Sequence, residues 1–254
     1  MKNLVIYISV VLFIAACTSS KKKEGNVTVT GTIKGLKQGT LYLQKIEDST
    51  LTTVDSLIVD GDPNFTLYST ITEPEIHYLY LDKNDNAPHN DRIDFFAEKG
   101  TINIVTTLND FERDAKITGG KNTNQLQEYK AILRRFNDRN LRLIKENYEA
   151  QKQNDQIKLM ALEKEYKKLI KSKYLYTINF AVNNKDLEVA PYVTLLEVFD
   201  ANVKYLDTVV DKLTPKVKKS MYGKQLIDFV AERKAIEKKQ PEAKDKVVDT
   251  LQSM

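Results

Sequence analysis

The hydrophobic period of this chain changes once, at Gly119-Gly120, and that change dictates a molecule in two parts. From Asn26 to Thr118 apolar residues recur at every second position: Val27, Val29 and Ile33, then Leu41 and Leu43, alternate with Thr, Lys and Gln. Strands with one buried face have this pattern. Further strands are expected at 55–59, 64–71, 75–82, 91–98, 101–107 and 114–118, with Gly35, Gly39, Gly61, Gly100 and Asp-rich stretches between them as turns. Seven or eight short strands with no helix-period segment between them predict an antiparallel β-sandwich-like module over residues 26–119.

After Gly120 the spacing becomes three and four. Leu126, Tyr129, Leu133, Phe136, Asn140 and Leu143 form one stripe, and Leu159, Leu162, Tyr166, Leu169, Lys173, Tyr176 and Phe180 form another; polar residues from Gln151 to Asp155 separate them. Two such stripes predict an antiparallel helical hairpin. Asn140 and Lys173 interrupt the stripes. A polar residue in a helix seam sets register at a cost in stability, or the position rotates out to solvent, and spacing alone leaves both open. Shorter helices are expected at 190–199, 203–212 and 215–239, with Pro191 and Pro215 in first turns and Thr214 as a cap. The helical domain is thus drawn at 120–239. Residues 240–254, with little apolar content, are expected as a frayed helix or disordered tail. The fold class is α+β, a β-sandwich-like module followed by a helical hairpin and further helices.

The N terminus carries an address. Lys2 precedes an uncharged run from Leu4 to Ala16, and small residues lead into Cys17, as in a bacterial lipoprotein signal peptide. Residues 1–16 are therefore expected to be cleaved, Cys17 to be lipidated, and 17–25 to form a tether to the bilayer. The apolar run is shorter than the about 20 residues that span a membrane. Acyl chains hold firmly instead, each buried methylene contributing about 0.8 kcal/mol. The alternative, a thiol buried in an uncleaved helix, requires an apolar run that Thr18 to Glu24 does not continue. Thr18 carries no inner-membrane retention signal, and Lys21-Lys22-Lys23 stand where surface-exported lipoproteins have acidic residues. The expected location is the outer membrane facing the periplasm, with cell-surface exposure as the other option.

Lipidation of the sole cysteine leaves no disulfide, thiolate nucleophile or cysteine-ligated zinc. Other chemistry is sparse. Asp82-Lys83-Asn84-Asp85-Asn86 opens like a calcium loop, but Ala87 and Ile93 occupy the positions of its glycine and its bidentate glutamate. His77 and His89 are not spaced as a ligand pair; a zinc set with Asp91 is the one combination they suggest, while the strand-like context of His77 predicts an outward or half-buried ring. Glu73/Glu75 and Asp60/Asp62 flank turns. Tyr42, Tyr68, Tyr78 and Tyr80 could form a face for sugar or peptide, or cross-strand packing pairs. Nucleophile-elbow, Walker, Rossmann and HExxH signatures are absent, so no catalytic residue, metal or cofactor is nominated. The expected function is a non-catalytic, lipid-anchored binding or accessory subunit for an envelope protein partner. The alternative is an enzyme or enzyme subunit acting on envelope polymers, or an accessory to a redox partner on another chain.

Charge divides with the period. Residues 24–119 hold 8 Lys/Arg against 16 Asp/Glu, and residues 120–254 hold 27 against 19. Opposite fields can steer one module against the other or present a basic helical surface to an acidic partner. The basic residues are interleaved with acids and lack the aromatic-flanked stripe of nucleic-acid binders, so nucleic acid is not expected as a partner.

Several segments together carry a resemblance: Val29-Thr30-Gly31-Thr32-Ile33, Gly39-Thr40-Leu41-Tyr42-Leu43, Asp55-Ser56, Asp60-Gly61 with Phe65, Phe95-Phe96-Ala97-Glu98-Lys99-Gly100, and Ile117-Thr118-Gly119 with Asn124. They resemble a domain of unknown function found ahead of thioredoxin-like modules in lipoproteins of the Bacteroidota. Ser220-Met221-Tyr222-Gly223 is similar to the linker that leads into the thioredoxin fold. The resemblance implies a following redox domain with a CxxC site, whereas this sequence stops at Met254 without a second cysteine. Thiol-disulfide chemistry is therefore not carried over.

Overall fold

The computed structural model describes residues 24–83 and 91–252, the side chains of Asp91 and of 239–252 excepted. The expectations for residues 1–23, including Cys17, and for Asn84, Asp85, Asn86 and His89 lie outside the described residues.

Among the described residues alternation produces eight strands: β1 (Val27–Lys34), β2 (Gln38–Glu47), β3 (Thr50–Asp60), β4 (Asn64–Ser69), β5 (Glu75–Asp82), β6 (Asp91–Ala97), β7 (Gly100–Thr107) and β8 (Lys116–Thr118). They form two four-stranded sheets, ordered β4-β1-β7-β8 and β3-β2-β5-β6. The apolar sets of the two sheets close on one core, including Val27, Val29, Leu41, Leu43, Leu79, Phe95, Ile102 and Ile104. Pairing is antiparallel with one exception. β1 runs parallel to β7, from Val27 opposite Gly100 to Lys34 opposite Thr107, a single parallel pair within the expected antiparallel sandwich. Five strands, β2 to β6, separate the two along the chain, and a long connection is what a parallel pair requires.

Two motif residues explain how the sheets are held. The Asp55 carboxylate accepts the Tyr68 N–H at 2.9 Å and the Ser56 N–H at 2.8 Å. A side chain from one sheet thus satisfies a backbone donor on the edge strand of the other. Gly31 sits on β1 where a Cβ would lie 1.8 Å from the Ile104 carbonyl oxygen and 2.8 Å from the Phe65 ring. The backbone and ring occupy the space that any other residue would need.

The helices are α1 (Lys121–Lys152), α2 (Gln156–Asn183), α3 (Val189–Glu197), α4 (Val203–Lys212), α5 (Pro215–Lys219) and α6 (Met221–Gln252). The hairpin turns at the expected polar stretch, with Asn154 at φ 53° and Asp155 accepting the Lys158 N–H to start α2. Toward its tip it has a small core, Leu143, Ala150 and Leu162. Lys173 follows neither of its two sequence readings: half-buried, its Nζ lies 2.7 Å from Glu197 and ties α2 to α3. Asn140 stays in the seam, its Oδ1 buried without a hydrogen-bond partner. Thr214 caps α5, with Pro215 in the first turn. The helix expected over 215–239 is two helices. Ser220 is extended and its hydroxyl donates to the Val217 carbonyl at 2.7 Å and accepts the Gly223 N–H at 3.2 Å. A Cβ on Gly223 would lie 1.8 Å from that same Val217 oxygen, so glycine permits the fold-back. The α6 backbone continues through Gln252. Among the described residues no helix is long and apolar enough to cross a membrane.

The two parts meet on the outer face of β5 and β6, where Ile76 and Phe96 pack with Leu126, Tyr129, Val189 and Val193. Polar contacts fix the angle. Buried Asn122 donates through Nδ2 to Glu98 at 3.3 Å and Glu188 at 2.8 Å, and its Oδ1 accepts the Val189 N–H at 2.7 Å. Glu98 also accepts the Thr123 N–H at 3.0 Å, a carboxylate on the first turn of α1 where the helix dipole favours it. Replacing Asn122 with alanine leaves a buried N–H unpaired and should cost about 2 kcal/mol. Denaturant unfolding checks this as a lower midpoint at unchanged slope.

Candidate functional site

His77 is fully buried, not outward or half-buried, because odd positions of β5 face the sandwich interior beside Leu79 and Leu81. Its Nε2 lies 2.8 Å from Ser69 Oγ and its Nδ1 4.0 Å from Glu75 Oε1. The outline is that of a serine–histidine–acid relay, yet Ser69 is 5% exposed and the ring 0%, so no substrate reaches it as folded. Burial, with Lys45 nearby, lowers the imidazole pKa to about 4, and the ring is neutral at ordinary pH.

The carboxylate pairs do structural work. Glu73 accepts the Met221 N–H at 3.0 Å at the start of α6, and Asp62 accepts the Asn64 N–H at 2.9 Å in the β3–β4 turn. Among the described residues no three His, Cys, Asp or Glu side chains are placed to hold a metal ion. Tyr42 and Tyr80 face each other across β2 and β5, rings stacked at 5.7 Å, and Arg92 lies 5.6 Å from the Tyr78 and Tyr80 rings. They are a cross-strand packing pair. Tyr68 lies on the other sheet.

Sequence periodicity did not reveal one sizeable concavity among the helices. A groove of about 670 Å³ runs along α2 to the corner between α3 and α4. Ile170, Tyr174, Leu175, Ile178, Phe199 and Tyr205 are among the residues lining it. Leu196 at 55% and Phe199 at 54% exposure stand open to water, an arrangement that marks interaction surfaces. Two contacts keep its walls in place: the Lys173–Glu197 pair, and the Tyr174 hydroxyl donating to Asp200 at 2.5 Å. Burial and Asp200 push the Tyr174 phenol up to about 12. Tyr166 also lines a smaller hollow with Ile144, Asn147 and Leu162 nearer the hairpin tip, so the apolar strip continues along α2 from Leu162 to Ile178. At 1.5 Å per residue this strip is about 24 Å long, the length of roughly four helical turns. The signal lay in apolar residues off the main stripe, such as Leu175, which periodicity assigns to solvent.

The fold and its open groove define a β-sandwich domain bearing a helical hairpin with an uncovered apolar strip. In comparison with known families, residues 27–126 match the family described as a domain of unknown function (DUF4369), a span that takes in the β-sandwich and the first turns of α1. No curated protein and no solved structure matches the chain. The match ends within α1, just past Asn122, Thr123 and Asn124, which lock that helix to the sandwich.

Proposed function

We propose that this is a lipid-anchored envelope protein, held at the outer membrane through Cys17, that acts as a binding or accessory subunit by seating a helix of a partner protein in the groove along α2. The exposed apolar strip carries this reading, since uncovered Leu196, Phe199, Leu175 and Tyr205 gain most from being covered. The rim favours an acidic amphipathic helix. Lys167 and Lys171 line the groove on α2, the lining acids Glu197 and Asp200 are already bonded to Lys173 and Tyr174, and the helical half is net basic.

The test joins anchoring to binding. Membrane fractionation should move the protein from membrane to soluble fraction on Cys17→Ser. A photo-crosslinking residue at position 199, in otherwise intact cells, should crosslink to one protein segment with acidic flanks and apolar residues at helical spacing. Crosslinks lost in Leu196→Glu support the groove. Crosslinks to lipid, to basic segments or to none overturn it.

A further inference from the structure

A second cavity, of about 470 Å³, lies at the seam between the β2–β3 turn, the start of β5, α3 and the start of α6. Tyr78, Tyr192, Tyr222 and Met221 line it together with Glu75 and Asp48; among the described residues no lysine or arginine does, although Arg92 lies 5.6 Å from the Tyr78 ring. Tyr192 and Tyr222 are 5.2 Å apart at 62°, and Phe96 sits edge-on to both at 5.3 and 5.8 Å. The Tyr222 hydroxyl accepts the Ile76 N–H at 3.1 Å, which fixes that ring.

The electrostatics point one way. Glu75 Oε1 is buried without a hydrogen-bond partner. Its nearest cation, Lys45 at 3.7 Å, is shared with Glu47 at 3.5 Å. Burial raises the Glu75 pKa against the opposing pull of Lys45, with smaller contributions from Glu47 and Glu73 in the same direction as burial. At the rim, Asp48 and Ser49 hold left-handed backbone at φ 47° and 65°. Lys45 is thus shared between Glu47 and Glu75, while Asp48 and Glu75 line the cavity beside three aromatic rings.

We propose that this cavity binds an organic cation, an ammonium group carrying methyl or alkyl substituents, by the negative faces of the Tyr192 and Tyr222 rings and the carboxylate of Glu75, whose Oε1 makes no hydrogen bond and shares Lys45 with Glu47. An anion would meet carboxylates and π faces there, and a neutral apolar ligand would gain nothing from Glu75. The cation can be a free small molecule or a lysine side chain of another protein, which share the same chemistry.

Choline and its uncharged isostere 3,3-dimethylbutan-1-ol, of equal shape, separate charge from fit when each is titrated into the whole protein and followed by NMR. Choline should bind saturably and the isostere about tenfold more weakly, the span that a desolvated cation–π contact provides. Glu75→Gln should weaken choline alone. Tyr192→Leu should weaken it, and Tyr192→Phe, which keeps the ring, should retain it. N-acetyl-lysine amide as a third probe tells the sources apart: tighter binding than choline assigns the site to a side chain, weaker binding to a free ammonium compound. Equal binding of choline and the isostere, or no saturable shift with choline, overturns the proposal.

Discussion

Alanine in place of Gly31 should destabilise the protein by about 3 kcal/mol or more, the upper end for forcing atoms into a packed interior. Only a methyl group is added. Its carbon would stand 1.8 Å from the Ile104 carbonyl oxygen and 2.8 Å from the Phe65 ring, so either β1 separates from β7 or Phe65 leaves the core. β1 is bonded on both edges, to β4 and β7, and has no free side toward which to move. Gly61→Ala is the matched control. Gly61 has nothing within 4 Å of its added carbon and a φ of +87°, so alanine there meets only left-handed strain of about 1 kcal/mol. Thermal unfolding of both variants checks the difference; equal losses would mean that the close approach at Gly31 relaxes freely.

Acid should weaken the fold through His77. Its folded pKa of about 4 lies below the ordinary 6.5, so the unfolded chain takes up a proton at this residue before the native state does. The contribution is fully present above pH 6.5, declines as pH falls from 6.5 toward 4, and changes no further below that. A displacement of this size corresponds to about 3 kcal/mol. Carboxylates titrate in the same range, so the informative quantity is a difference. His77→Gln, which keeps a polar group for Ser69 and cannot titrate there, should show a shallower loss between pH 6.5 and 4 in denaturant unfolding. Parallel curves for the two proteins would remove His77 as the cause.

Much of the fold was written in the period of the sequence. Alternation in Val27 to Ile33 and Leu41 to Leu43 located strands because each sheet has one buried face, and the stripes of α1 and α2 located a hairpin because each helix has one. The parallel pairing of β1 with β7 left no such trace, since period reports burial and not which strand lies alongside. His77 was misplaced because parity within β5 depends on where the strand begins, and a polar side chain inside the alternation looks like an outward one. Ser220 was hidden in a run of helix-forming residues; the break depends on Gly223 lying against the Val217 carbonyl, a contact across the bend. The groove and the seam cavity were least legible. Both are assembled by residues far apart in sequence, such as Leu175 with Phe199, and Tyr78 with Tyr222.

The motif glycines and acids of the sandwich also take on meaning. Gly31, Asp55, Phe65, Glu98 and Asn124 each make a close approach or a hydrogen bond that holds the sheets, the turns or the first turn of α1. They preserve a scaffold. The surfaces offered to other molecules lie on and beside the helices that it carries.

The placement of β1 bears on mechanics. Under the proposed anchoring at Cys17, a pull on a partner held by the helices would enter the described fold at its first strand. That strand is central in its sheet, with eight residue pairs to β7 and six to β4, so a pull along its axis loads those bonds together in shear instead of peeling them one by one. The strand order thereby gives the sandwich resistance to tension applied at its N-terminal end.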